Sequence, residues 1–203
     1  NSMTTPTDDN AWWLPDEPGE ETLGAVGQLA GWLRENRPNG LNYVNVYRTE
    51  SAYLDQVMSV VQPDVLMYDF YPFGASGEDI DTHFSFLGAI RAKARQYGVP
   101  YFCWIQAFAG STGPMPSESE MRMQLFSSLA AGYKGIGYWF YNGPFSTNMA
   151  QALLVNGMPT PMYYSVQAAN AEVKHLGRYL RCLESTEYRF VPGAGHTPPS
   201  GIS

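Results

Sequence analysis

The sequence predicts an α/β chain, a partial (β/α)8 TIM barrel of about five βα units that correspond to barrel strands four to eight. Two observations predict it. Short apolar runs at 11–14, 41–47, 65–70, 100–106 and 135–141 alternate with longer amphipathic stretches, the rhythm of parallel strands covered by helices. Polar and aromatic residues then end nearly every run on the same side, where a catalytic barrel carries its chemistry. A doubly wound open sheet shares the alternation, but no Gly-rich phosphate loop follows any run, so its nucleotide-binding form lacks its main signature.

Each helix is legible from its spacing. Leu23, Val26, Ala30 and Leu33 recur at steps of three and four, which puts them on one face. Leu54, Val57, Met58 and Val61 make a second stripe, stopped by Pro63. Phe84, Leu87, Ile90, Ala94 and Tyr97 make the third, with Gly98 as its C-cap. Ser117 and Glu120 stand in capping-box spacing ahead of Met121, Leu125 and Leu129, and Gly132 ends that helix. The last stripe is Val166, Ala169, Val173, Leu176, Leu180 and Leu183.

Composition narrows the function classes. The 203 residues suit one domain, read as 11–184, with 1–10 as a tag scar and leader and 185–203 as a C-terminal tail. With 44% apolar and 15% charged residues the chain is of globular type. A net charge of -7 excludes the basic stripe of a nucleic-acid binder. No run approaches the roughly 18 apolar residues of a membrane span, so no membrane partner is expected. No signal peptide opens the chain; Asn1-Ser2-Met3 reads as a tag scar before an initiator Met. That start is compatible with a secreted or periplasmic parent and leaves localisation open. Cys103 and Cys182 are expected to be buried free thiols, and His83, His175 and His196 to be solvated or capping. Neither set has ligand spacing, so no metal and no cofactor is expected.

Four segments carry the chemical signal. Asp16 and Glu17 end the first run just before Pro18, which holds the preceding backbone extended; both are candidate catalytic groups. Asn45 and Tyr47 lie two apart on one strand and share a face, suited to bonding and stacking on a sugar. Asp69 closes the third run between Tyr68 and Tyr71, and a carboxylate there is costly to bury unless paired. It is the third catalytic candidate, with both tyrosines as substrate contacts. Trp104 with Gln106, and Trp139 with Tyr141 and Asn142, offer indole and phenol faces beside amides, the surfaces that hold a sugar ring.

These segments together resemble the clan A glycoside hydrolases, and more closely the β-galactosidase-like and related glycosidase-like barrels. The likeness rests on the Asp-Glu-Pro at 16–18, on 64–73 and 101–108, on 117–122 leading to 131–139, and on the Gly-Met-Pro-Thr-Pro-Met-Tyr of 157–163 entering a long helix with Asn170. It covers most of 11–184. The resemblance implies a retaining mechanism, with Glu17 as acid/base at the end of the fourth barrel strand and a carboxylate nucleophile at the end of the seventh. The chain departs from that pattern, since Gln106 holds the seventh position. An amide cannot form a glycosyl ester, which leaves Asp69 or Asp16 to partner Glu17. The expected function is that of a glycoside hydrolase-like domain acting on or binding a carbohydrate, as a truncated barrel with reduced or no activity on its own. The alternative is a non-catalytic sugar-binding or self-associating half-barrel. Five βα units leave bare strand edges and an uncovered aromatic inner face, so a homodimer is also expected.

Overall fold

The computed structural model describes residues 11–74, 77–109, 113–144, 149 and 151–189. Its elements follow as β1 Ala11–Trp13, α1 Leu23–Asn36, β2 Leu41–Val46, α2 Ser51–Gln56 running into a π-helical turn Val57–Val61, and β3 Val65–Asp69. The short strands β4 Phe73–Gly74 and β5 Gly77–Glu78 precede α3 Ile80–Tyr97, β6 Tyr101–Gln106, α4 Glu118–Ala130 and β7 Gly135–Trp139. Three more short strands, β8 Asn142–Gly143, β9 Leu154–Val155 and β10 Met158–Pro159, lead into α5 Pro161–Leu180. The main sheet has five parallel strands in the order β1-β2-β3-β6-β7. The expected α/β fold, a partial (β/α)8 barrel, is what forms.

The chain divides into two compact units, one of residues up to 69 with 89–102, the other of 70–88 with 103 onward. In the first unit β1 pairs with β2 from Ala11 against Leu41, and β2 with β3 from Tyr43 against Val65. Leu66 N–H then donates to Pro100 O at 3.1 Å, where β6 begins. Val65, Leu66, Met67 and Tyr68 are all buried, as a strand covered on both faces must be. On α1 the expected stripe Leu23, Val26, Ala30 and Leu33 is buried. Gly27 lets this helix approach closely, because a Cβ there would stand 2.6 Å from the carbonyl oxygen of Val60. Lys93 of α3, 6% exposed, bonds Asp55 at 2.5 Å and Ser51 at 3.1 Å, which makes burying its ammonium tolerable.

In the second unit the capping box of α4 forms as expected, with Ser117 accepting from Glu120 N–H and the Glu120 carboxylate from Ser117 N–H. Its buried face is not the simple apolar stripe. Met121 and Leu125 are buried, Leu129 only half, and Gln124 and Ser128 are fully covered. Ser128 Oγ donates to Gln124 O at 2.7 Å, and Gln124 Oε1 accepts from Gln106 N–H at 3.2 Å, while Gln124 Nε2 is buried without a hydrogen-bond partner among the described residues. The stripe of α5 also differs from expectation. Met162, Val166 and Ala169 are buried, whereas Leu176 and Leu183 are 40% and 60% exposed, Leu183 lying beyond the helix end. Periodicity marks the face a helix can bury, not how far along it a neighbour extends.

Three smaller expectations are corrected. His83 is neither solvated nor capping: it is 2% exposed, edge-on to Phe84, with Nε2 3.2 Å from Ser127 Oγ. Burial pushes its pKa down to about 4, so the ring is neutral at pH 7. Cys103 is buried, but Cys182 is exposed, because it follows the end of α5. The fifth run stops at Trp139 and not at 141: Tyr141 forms a bend, and Asn142–Gly143 joins the separate sheet β10-β9-β8. His175 is exposed, His196 lies outside the described residues, and no helix among the described residues is long and apolar enough to cross a membrane.

Candidate active site

The first unit brings Asp16, Glu17, Asn45 and Asp69 together. Asp16 and Glu17 follow β1, Asn45 is the fifth residue of β2, and Asp69 ends β3; parallel neighbours deliver their ends side by side. Burial along β2 alternates until Asn45, which is 2% exposed because the carboxylates cover it. Its Nδ2 donates to Asp16 Oδ1 at 3.0 Å and to Asp69 Oδ1 at 2.9 Å. One amide NH2 has two protons to give, and here each carboxylate receives one. The Asn45 Oδ1 is buried and makes no hydrogen bond, leaving an acceptor at the heart of the cluster.

Glu17 has a φ of 45°, the left-handed region that a residue with a Cβ enters at a cost. Bonds on both sides hold the turn there. Glu17 N–H donates to Asn45 O at 3.0 Å, and the Tyr53 hydroxyl donates to Pro18 O at 2.8 Å. Tyr53 was invisible in the sequence as a site residue, since its neighbour Leu54 carries the helical stripe. Arg48 lies 4.5 Å above the Tyr53 ring and pairs with Glu20 at 3.1 Å and Glu50 at 3.3 Å, tying the loop after β2 to the acidic turn after β1. Burial, opposed by Arg48, pushes the Tyr53 hydroxyl up to about 12, so it remains a donor.

The electrostatics separate the three acids. Desolvation first, then the charges of Asp69 and Asp16 and a hydrogen bond to Asp69, raise the Glu17 pKa to about 7. Asp16 and Asp69 each accept from Asn45, and Glu17 is the acid whose pKa is raised toward neutrality. Tyr43, stacked on Trp13 at 6.1 Å and 19°, has its hydroxyl pKa raised by burial and by Asp16. Among the described residues, no group of three or more His, Cys, Asp or Glu is placed to hold a metal ion.

The other predicted contacts scatter. Tyr47 is 50% exposed beyond the end of β2, and Tyr68, at 1%, belongs to the core. A side chain that deep offers no face to a ligand. In the second unit Tyr71 meets Phe108 edge-on at 5.1 Å against the cluster of Phe108, Phe140 and Ala152. Trp104 and Trp139 form a T-shaped pair at 5.7 Å. Gly137 makes room for it, since a Cβ there would lie 2.4 Å from the Trp104 ring. Asn142 is exposed in β8 and pairs with Leu154. Tyr141, past the end of β7, lines a different pocket with Tyr138 and Asn170.

Gln106 does not present its amide. The side chain is clamped on the backbone of one residue: Nε2 donates to Phe73 O at 2.9 Å and Oε1 accepts from Phe73 N–H at 3.0 Å. At 2% exposure both polar ends are spent on the backbone.

The geometry can be set beside known proteins. No family model matches the chain, and no curated protein matches it. Solved structures do. A β-galactosidase from the psychrophilic Marinomonas ef1 superposes with a TM-score of 0.65 at 15% identity, over 83% of this chain and 30% of that one. The fold is that of the clan A barrel glycosidases. A glycoside hydrolase family 5 mannosidase from Rhizomucor miehei gives 0.62 at 14% identity, over 84% of this chain and 52% of its own. A family 26 endo-β-1,4-mannanase from Cellulomonas fimi gives 0.53 at 16%, over 75% and 36%. The glycosidase-like chain thus spans about half of these barrel structures or less.

Two predictions follow from the site's own chemistry. Because the Glu17 pKa is raised from 4.5 to about 7, the folded chain binds more protons than the unfolded one between those values. Stability contributed by this carboxyl therefore falls as pH rises through that window. In thermal melts Glu17→Gln should match the parent near pH 4 and exceed it above pH 7; a difference that stays flat across the window refutes the proton's placement. Gln106→Glu, which restores the carboxylate type at the seventh-strand position, should destabilise by roughly 2–4 kcal/mol, because an ionised acid faces the Phe73 carbonyl with no proton to give it. Denaturant titration of the variant checks this, and an unchanged midpoint would show the clamp to be dispensable.

Proposed function

We propose that the chain carries the proton-donating part of a glycoside hydrolase that cleaves an O-glycosidic bond of a carbohydrate. The observation that carries this reading is Glu17, poised near neutrality beside the carboxyl groups of Asp16 and Asp69. A general acid works best with a pKa near the operating pH. Glu17 would protonate the leaving glycosidic oxygen. Asp16 and Asp69 would stabilise the positive charge that develops on the sugar ring in the transition state. The fold supports the reading, because carboxylates at strand ends are where such barrels place their acids. Asp69 raises the Glu17 pKa both by its charge and by a side-chain hydrogen bond, the relation of a close neighbour. Asp69 therefore serves better as the charge that keeps Glu17 protonated than as a nucleophile across the scissile bond.

The test contrasts substrates that need a proton donor with substrates that do not. Glu17→Gln should lower kcat/KM on unactivated disaccharides by about 10²–10⁴-fold and far less on dinitrophenyl glycosides. The parent's rate should fall above about pH 7, and Asp69→Asn should move that limb to lower pH, since the neighbouring charge that raises the Glu17 pKa is gone. Equal losses on both substrate types would remove Glu17 as the acid.

A second reading, a non-catalytic scaffold that self-associates, is favoured by the locked Gln106 and by exposed apolar residues. In the first unit Trp13, Leu29, Trp32 and Leu41 are 41–53% exposed, large apolar side chains that a partner could cover. Sedimentation across a wide concentration range should show a dimer; a 22.5 kDa species at every concentration would set this reading aside.

A further inference from the structure

A pocket of about 370 Å³ opens in the second unit, between the end of β7 and the first half of α5. It shares no residue with the carboxylate site. Buried Leu153 and Val166 contribute apolar wall. Three tyrosines, 138, 141 and 163, and two carboxamides, Gln167 and Asn170, complete the lining. We propose that this pocket binds a neutral saccharide unit at a site separate from the catalytic acids.

Four observations carry it. The volume lies at the small end of the roughly 300–1,000 Å³ range of ligand pockets, which suits one or two sugar rings and not an extended chain. Among the described residues no charged side chain lines the pocket, although the chain as a whole carries a net charge of -7. That selects against ionic ligands. Phenol rings offer apolar faces to the C–H side of a pyranose, while amides and hydroxyls bond its edge; the half-exposed or exposed state of Tyr141, Tyr163, Gln167 and Asn170 leaves them reachable. Finally, the polar groups are pre-set. Tyr138 OH donates to Asn170 Oδ1 at 2.9 Å, which fixes the amide and turns its NH2 away from the phenol. Burial pushes the Tyr138 hydroxyl up to about 12, so that bond persists across the neutral range.

Ligand-observed NMR titrations with mannobiose, cellobiose and lactose test the proposal on the parent, Glu17→Gln, Tyr163→Ala and Asn170→Ala. At least one disaccharide should bind the parent, bind Glu17→Gln as well, and bind each pocket variant at least tenfold more weakly. Asn170 is exposed, so its substitution keeps the fold even if Tyr163→Ala does not. Binding of none of the three sugars overturns the pocket, as does binding that survives both pocket substitutions. Binding that disappears only in Glu17→Gln also overturns it, and leaves the reading of Glu17 as an acid intact. Loss of hydrolysis with pocket binding retained does the reverse.

Discussion

Three carboxyl groups at adjoining strand ends repel one another, and the site exists only because that repulsion is relieved. Asn45 relieves part of it by donating one amide proton to Asp16 and the other to Asp69. A single retained proton on Glu17 relieves the rest. Both depend on the ladder that brings β1, β2 and β3 into register, since a slip of one residue would turn Asn45 to the opposite face. Fold and chemistry are joined at this point. The parallel pairing delivers the acids, and the amide makes their delivery tolerable.

The helices and strands were legible because their periodicity is strong. The acids were legible because a charge at the end of an apolar run has few bland explanations. The partnership among them was not. Nothing in the order Asn45, Val46, Tyr47 says that the asparagine bridges two aspartates on neighbouring strands, because that contact spans 24 and 29 residues. Tyr53 was hidden for the same reason, its hydroxyl meeting a carbonyl 35 residues away. Tyr68 shows the opposite: an aromatic beside a candidate acid suggested a sugar contact, but its strand is covered on both faces and the ring lies in the core.

Gln106 illustrates how a position can keep its place and change its task. The resemblance marks it as the seat of a nucleophile, and the chemistry of an amide forbids that role. A carboxamide, however, is a donor and an acceptor held in one plane, the same pair of groups that a peptide presents. It therefore reads the N–H and C=O of Phe73 as one strand reads another. A carboxylate could answer only half of that pattern. The amide at this position is a backbone fastener in the second unit.

The contact between Gly137 and Trp104 has a different kind of consequence. The indole occupies the space that any side chain at 137 would need. The two positions therefore share one volume. Bulk added to the β7 strand has to be given up by the ring on β6, because close-packed interiors have no slack to absorb it. Neither residue can be exchanged on its own terms, and the smaller of the two sets how large the other is allowed to be.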